Sequence, residues 1–134
     1  MHSAVLMSNF FRVADLKEFE RFIRKWDMVP KKKDYDQVGF QRIGKESFGI
    51  PRAHVNAEGR PVAGDIFKDL SRILLDDEVA IVMESVINPA RAVIRLNAVA
   101  VKKGEEPIRL SLNHIYEMVF NKWNVIPSKI DWGA

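Results

Sequence analysis

The side chains in this sequence that could move a proton or hold a metal ion are few and scattered. There are three histidines, His2, His54 and His114, and no cysteine. Without thiols there is no disulfide, no thiolate nucleophile and no zinc site built on thiolates. A metal-binding helix commonly carries a histidine and a second ligand three or four residues apart, because that spacing puts both on one face. His114 has Glu117 at that spacing and nothing further nearby, which reads as a polar pair near a helix start. His54 has no partner in sequence. A hydrolase built around it needs a carboxylate delivered from elsewhere in the fold, as catalytic triads are. Asp34 with Asp36, and Asp76 with Asp77, fall where loops and helix ends collect Asp for ordinary capping and solvation. No phosphate-binding loop, glycine-rich dinucleotide motif, Gly-x-Ser-x-Gly elbow or His-Glu-x-x-His pair occurs. The expectation is a chain with no catalytic residue, no metal and no cofactor.

Two segments suggest recognition instead. Lys31-Lys32-Lys33-Asp34-Tyr35, with Phe40, Gln41 and Arg42 following, mixes basic and aromatic residues. Nucleic-acid binders use that mix, with cations on phosphates and rings on bases. Lys31, Lys32, Lys33, Tyr35 and Arg42 are the candidate contacts, although Asp34 and Asp36 dilute the charge. The tail over 123–134 holds Trp123, Val125, Ile126, Ile130 and Trp132, too apolar to stand free in water. It either packs back on the domain, the favoured reading, or covers a partner subunit. Trp123, Ile130 and Trp132 are its candidate interface residues.

The elements that must position these residues follow from composition and periodicity. A chain of 134 residues, 47% apolar and 29% charged, reads as one globular domain over 1–134. A domain of this size buries roughly two-thirds of its unfolded surface without disulfide or metal staples. No apolar run approaches the roughly 20 residues of a membrane helix, and no secretory leader is apparent. The expected setting is cytoplasmic, away from membranes. Net charge is +3, unevenly spread: residues 1–60 carry 12 Lys/Arg against 8 Asp/Glu, and residues 61–134 carry 9 against 10. That basic bias is mild for a nucleic-acid binder.

Residues 4–13 are rich in strand formers and predict a first strand. Asp15 reads as an N-cap, with Glu18 as its capping-box partner. Leu16, Phe19, Phe22, Ile23 and Trp26 then form one apolar helical stripe. Residues 27–37 read as a polar loop, 37–50 as a short hairpin or two weak strands turning at Gly44-Lys45, and 51–64 as irregular. Asp65 starts a second helix with Ile66, Phe67, Leu70, Ile73 and Leu74 inward and Asp69 on the polar side. Glu78–Ile87 and Ala92–Lys103 predict a long hairpin across the turn Asn88-Pro89-Ala90-Arg91. A loop centred between Pro89 and Ala90 sets Glu84 directly across from Arg95, a favourable cross-strand pair. The even-numbered residues of 92–100 are wholly apolar, which assigns that face to the core. Ile108–Leu110 predicts a short edge strand, and Ser111 caps a third helix with Leu112, Ile115, Tyr116, Val119 and Phe120 as its stripe. The fold class is α+β: a mostly antiparallel sheet with a long hairpin in its C-terminal half and about three helices packed on one face.

Ser8-Asn9-Phe10-Phe11-Arg12-Val13 leading into Asp15, Glu78–Glu84, and Ala98–Val101 ahead of Leu110–Tyr116 together resemble small uncharacterised proteins carried by phages, plasmids and other mobile elements. The similarity skips residues 30–64 and rests on strand and helix-start patterns. It implies an accessory protein of a mobile element and carries over no active site. The expected function is a non-enzymatic protein-interaction module that binds another protein and self-associates. A nucleic-acid-binding accessory factor is the alternative, and a hydrolase around His54 the third.

Overall fold

The computed structural model describes residues 3–44, 49–90, 93–111 and 114–128. Its frame is an antiparallel sheet. β1 (Ser3–Ser8) lies between β4 (Gln37–Gly44) and β7 (Val79–Ile87), and β7 pairs with β8 (Val93–Lys102), which pairs with the edge strand β9 (Ile108–Ser111). β2 (Phe11–Arg12) continues the line of β1 along β4, and β3 (Val29–Asp34) pairs with the other side of β4 to form the second edge. A separate two-stranded ribbon, β5 (Ala53–Val55) with β6 (Pro61–Ala63), leads into the second helix.

The predicted first strand is thus broken in two. Register slips by one residue between Met7↔Gln41 and Phe11↔Val38, the mark of a β-bulge. Asn9 holds the break: its side chain donates to the Val79 carbonyl and accepts from the Ile81 N–H, at 3.1 and 2.8 Å. Gly39 lies opposite, where a Cβ would stand 2.8 Å from the Asn9 carbonyl oxygen. The slip exchanges faces, so Leu6 and Phe11 are both buried on the same side.

Two helices cover that side. α1 (Leu16–Trp26) is capped by Asp15, whose carboxylate accepts from the Lys17 N–H at 2.9 Å, while Glu18 pairs with Arg21 instead of closing a capping box. It ends in a Schellman turn: Asp27 adopts φ 54°, its N–H bonds the Arg24 carbonyl, and the Met28 N–H bonds that of Ile23. α2 (Ile66–Ile73) is capped by Asp65 and buries Ile66, Phe67, Leu70 and Ile73, with Leu74 just beyond. Phe11, Phe19, Phe22 and Phe40 meet edge-to-face or tilted at 5.4–6.3 Å between ring centres, a geometry that adds to their burial. Trp26 Nε1 donates to Asp69, which also binds Lys25 at 2.8 Å. Asp69 is therefore the clasp between the two helices and not a solvated charge.

Several expectations are corrected. The polar loop over 27–37 contains β3, and the irregular segment over 51–64 contains the β5–β6 ribbon. A Gly44-Lys45 turn falls at the border of the described residues. The long hairpin forms, but Glu84 lies across from Asn97 and Arg95 across from Val86. A bulge at Val86/Ile87 and a turn displaced toward the C-terminus move the pairing by two residues. The core face of β8 is the odd one, with Val99 and Val101 buried; Ala98 and Ala100 lie on the other. The third helix, α3 (His114–Trp123), begins beyond Ser111, which closes β9. Most of its described side chains are exposed, with Val119 half-buried.

Candidate functional site

Glu84 is the one carboxylate buried among the described residues, at 3% exposure. One oxygen accepts from the backbone N–H groups of Gly49 and Ile50, at 2.8 and 2.7 Å, and the other from the Asn97 amide at 2.7 Å. A Cβ on Gly49 would meet the Glu84 side chain at 2.9 Å, so the approach of backbone to carboxylate depends on glycine. Beside this corner opens a cleft of about 410 Å³, lined by Arg52, Asp65, Phe67, Asn97 and Arg109 among others. The Arg109 guanidinium lies 5.2 Å above the Phe67 ring, a cation–π contact. These groups tie the segment before β5 to the sheet. Sequence reasoning placed Glu84 in a half-exposed ion pair. The signal it missed is a single acid inside an otherwise apolar strand.

His54 sits on β5 with its ring against Trp26, 5.3 Å between centres at 71°. The fold brings an indole to it and no carboxylate among the described residues. His114 and Glu117 stand 4.0 Å apart on exposed side chains. No group of three or more potential metal ligands occurs among the described residues.

The basic segment forms the β3–β4 hairpin. Lys32 and Lys33 are exposed, and Tyr35 stands 84% exposed at the tip. Lys31 reaches back over the Phe10 ring at 5.5 Å. Strand alternation sends Lys31 and Lys32 to opposite faces. Arg42 lies at the far end of β4, half-buried and across from Leu6. The five candidate contacts are thus split between a hairpin tip and a separate, partly covered position.

Among the described residues, one face of the sheet is covered by no helix. Val5 and Met7 on β1, Ile81 and Met83 on β7, and Ser85 beside them frame a groove of about 370 Å³. Leu96, Ala98 and Ala100 on β8 and Ile108 and Leu110 on β9 continue it in register, as Ile43 does on β4. Met83 is 51% exposed and Ile108 71%. An antiparallel sheet with one wet face normally alternates apolar with polar residues. Here both faces are apolar. Near the same edge, α3 leaves Met118, Phe120 and Trp123 exposed, Trp123 at 64%, and Val125 and Ile126 follow in the same condition. Of the tail residues expected at an interface, Trp123 is on this exposed helix, whereas Ile130 and Trp132 lie outside the described residues.

Compared with protein-family models, curated proteins and solved structures, the chain matches none. No helix among the described residues is long and apolar enough to cross a membrane.

Proposed function

We propose that this chain is a non-enzymatic protein-interaction module that docks a protein on the open face of its sheet. The observation that supports this reading is the apolar run of side chains across β1, β7, β8 and β9, centred on Met7 and Met83 and bordered by Lys102. Solvent-exposed apolar patches of this extent mark interaction sites. Methionine suits such a surface because its thioether chain adapts to a partner's shape. Carriage on a mobile element and a cytoplasmic setting belong to the same proposal; they rest on the sequence pattern alone.

A photo-crosslinking amino acid placed at Met83 in the native host tests it, with Glu20 on the solvent side of α1 as control. The expected result is a discrete crosslinked protein from position 83 and none from position 20. Equal yields from the two positions, or none from either, would remove the docking reading. A second reading, a nucleic-acid accessory factor, is favoured by one observation: Lys32, Lys33 and Tyr35 stand exposed together on the β3–β4 hairpin.

A further inference from the structure

Among the described residues two surfaces lack a cover, and they are of matching kind. One is the open sheet face. The other is α3, ten residues long with six apolar ones, Ile115, Tyr116, Met118, Val119, Phe120 and Trp123. An isolated helix shorter than about 12–15 residues is marginal in water, so α3 needs a packing partner to persist. A helix apolar on most of its circumference is a buried helix. Among the described residues its own domain leaves it largely open: every described α3 side chain is exposed except that of Val119, which is half-buried.

The dimensions agree as well. A ten-residue helix is about 15 Å long. The span from β1 to β9 is three strand spacings, about 14 Å. One α3 therefore crosses the four strands that carry the uncovered apolar face.

The sheet edges differ in the same sense. β3 is blunted by Pro30, by lysines at 31, 32 and 33, and by a bulge after Lys32, the devices that keep an edge from associating. β9, Ile-Arg-Leu-Ser, carries one charge, Arg109, and no proline or register shift, and α3 begins three residues after it.

We infer that the protein is a reciprocal homodimer in which α3 of each copy lies across the open sheet face of the other. The inference rests on the reading of that face as a docking surface and names its occupant. A two-fold arrangement uses both surfaces twice and leaves neither uncovered, so it closes without forming a filament. Eleven large apolar side chains, six on the sheet face and five on α3 and the segment after it, stand 41–84% exposed. They present on the order of 1,000 Å² per copy, against the roughly 800 Å² per partner of a standard stable interface.

The full-length protein tests this by light scattering and by disulfide trapping. At up to about 100 µM, two decades above a micromolar Kd, the mass should be twice the 15.4 kDa of one chain. Met83→Asp and Trp123→Asp should each run as monomers. Mixed in equal amounts they should recover a heterodimer, since one of the two contacts remains intact. A monomeric wild-type protein, or variants that fail to complement, would overturn the inference.

Both substituted side chains are exposed, but folding does not have to be taken on trust. The chain has no cysteine, so Met83→Cys and Trp123→Cys can be mixed and oxidised. The expected product links position 83 of one copy to position 123 of the other. Homodimers of Met83→Cys forming equally well would indicate face-to-face stacking. An intramolecular link in the double variant at high dilution would indicate that α3 folds back on its own sheet. Either result overturns the inference. If the crosslinker at Met83 captures a different protein and never a second copy, the docking reading stands and the dimer falls.

Discussion

Glu84 shows how one side chain can fix a junction. Its carboxylate, itself buried, answers two backbone donors and an amide at the floor of the cleft. Glu84→Ala would leave those donors buried without a partner, at roughly 2–4 kcal/mol. The expected observation is a lower urea midpoint at unchanged slope. Arg12 and Glu78 make a different kind of pair. The Arg12 side chain donates to the Glu78 carboxylate at 3.0 Å and its backbone N–H donates at 2.8 Å. The side-chain hydrogen bond from Arg12 is the main cause holding the Glu78 carboxyl below its ordinary value of 4.5. A depressed carboxyl contributes stability that is fully present above its unfolded value and is lost as pH falls through the folded one. Arg12→Ala should therefore cost up to about 1 kcal/mol at neutral pH. The gap between variant and wild type should shrink as pH falls below 4.5. Urea titrations of both proteins across that range check it; a gap that persists unchanged in acid would mean that Arg12 acts through packing alone.

At the scale of elements, α1 and α2 are joined through Asp69, which holds Trp26 Nε1 at 3.0 Å and Lys25 at 2.8 Å. Asp69→Ala would strip the partner from the indole N–H of the buried Trp26 and should destabilise the fold by about 1–3 kcal/mol. Lys25→Ala should cost no more than about 1 kcal/mol, as for exposed pairs. Thermal melts of the two variants compare these directly, and equal losses would refute the assignment of Asp69 to the indole. The β3–β4 hairpin carries the alternative function. If it binds nucleic acid, replacing Lys31, Lys32 and Lys33 together by Ala should weaken binding and flatten its salt dependence, because fewer counterions are released. Absence of binding by the wild-type protein at about 50 mM salt, where phosphate contacts are strongest, would dismiss that alternative.

For the whole molecule, a dimer built on the open face and α3 would make stability depend on association. Subunits that bury each other's apolar surface stabilise the folded state by mass action. The melting temperature of the wild-type protein should rise with protein concentration, whereas that of Met83→Asp should not. Scans over a hundredfold range of concentration decide it. A wild-type melting temperature that stays constant would show that this surface contributes nothing between copies.

What was legible in the sequence was local. The caps Asp15 and Asp65, the α1 stripe ending at Trp26 and the α2 residues from Ile66 to Leu74 all follow from interactions within a few residues of chain, and each stands in the structure. The tertiary structure alone decided which face of the sheet is inside. A strand's period of two identifies the buried face only when the two faces differ in polarity. In β8 the even face as far as Ala100, with Leu96 and Ala98, is wholly apolar, whereas the odd face that buries Val99 and Val101 also carries Asn97, so polarity pointed to the wrong side. The choice came from where α1 and α2 settle, and from two one-residue slips, at Asn9 and at Val86, that pattern-reading has no means to see. The same long-range packing turned a run of lysines into an edge strand and moved Glu84 from Arg95 to Asn97, because each outcome depends on which distant backbone lies alongside.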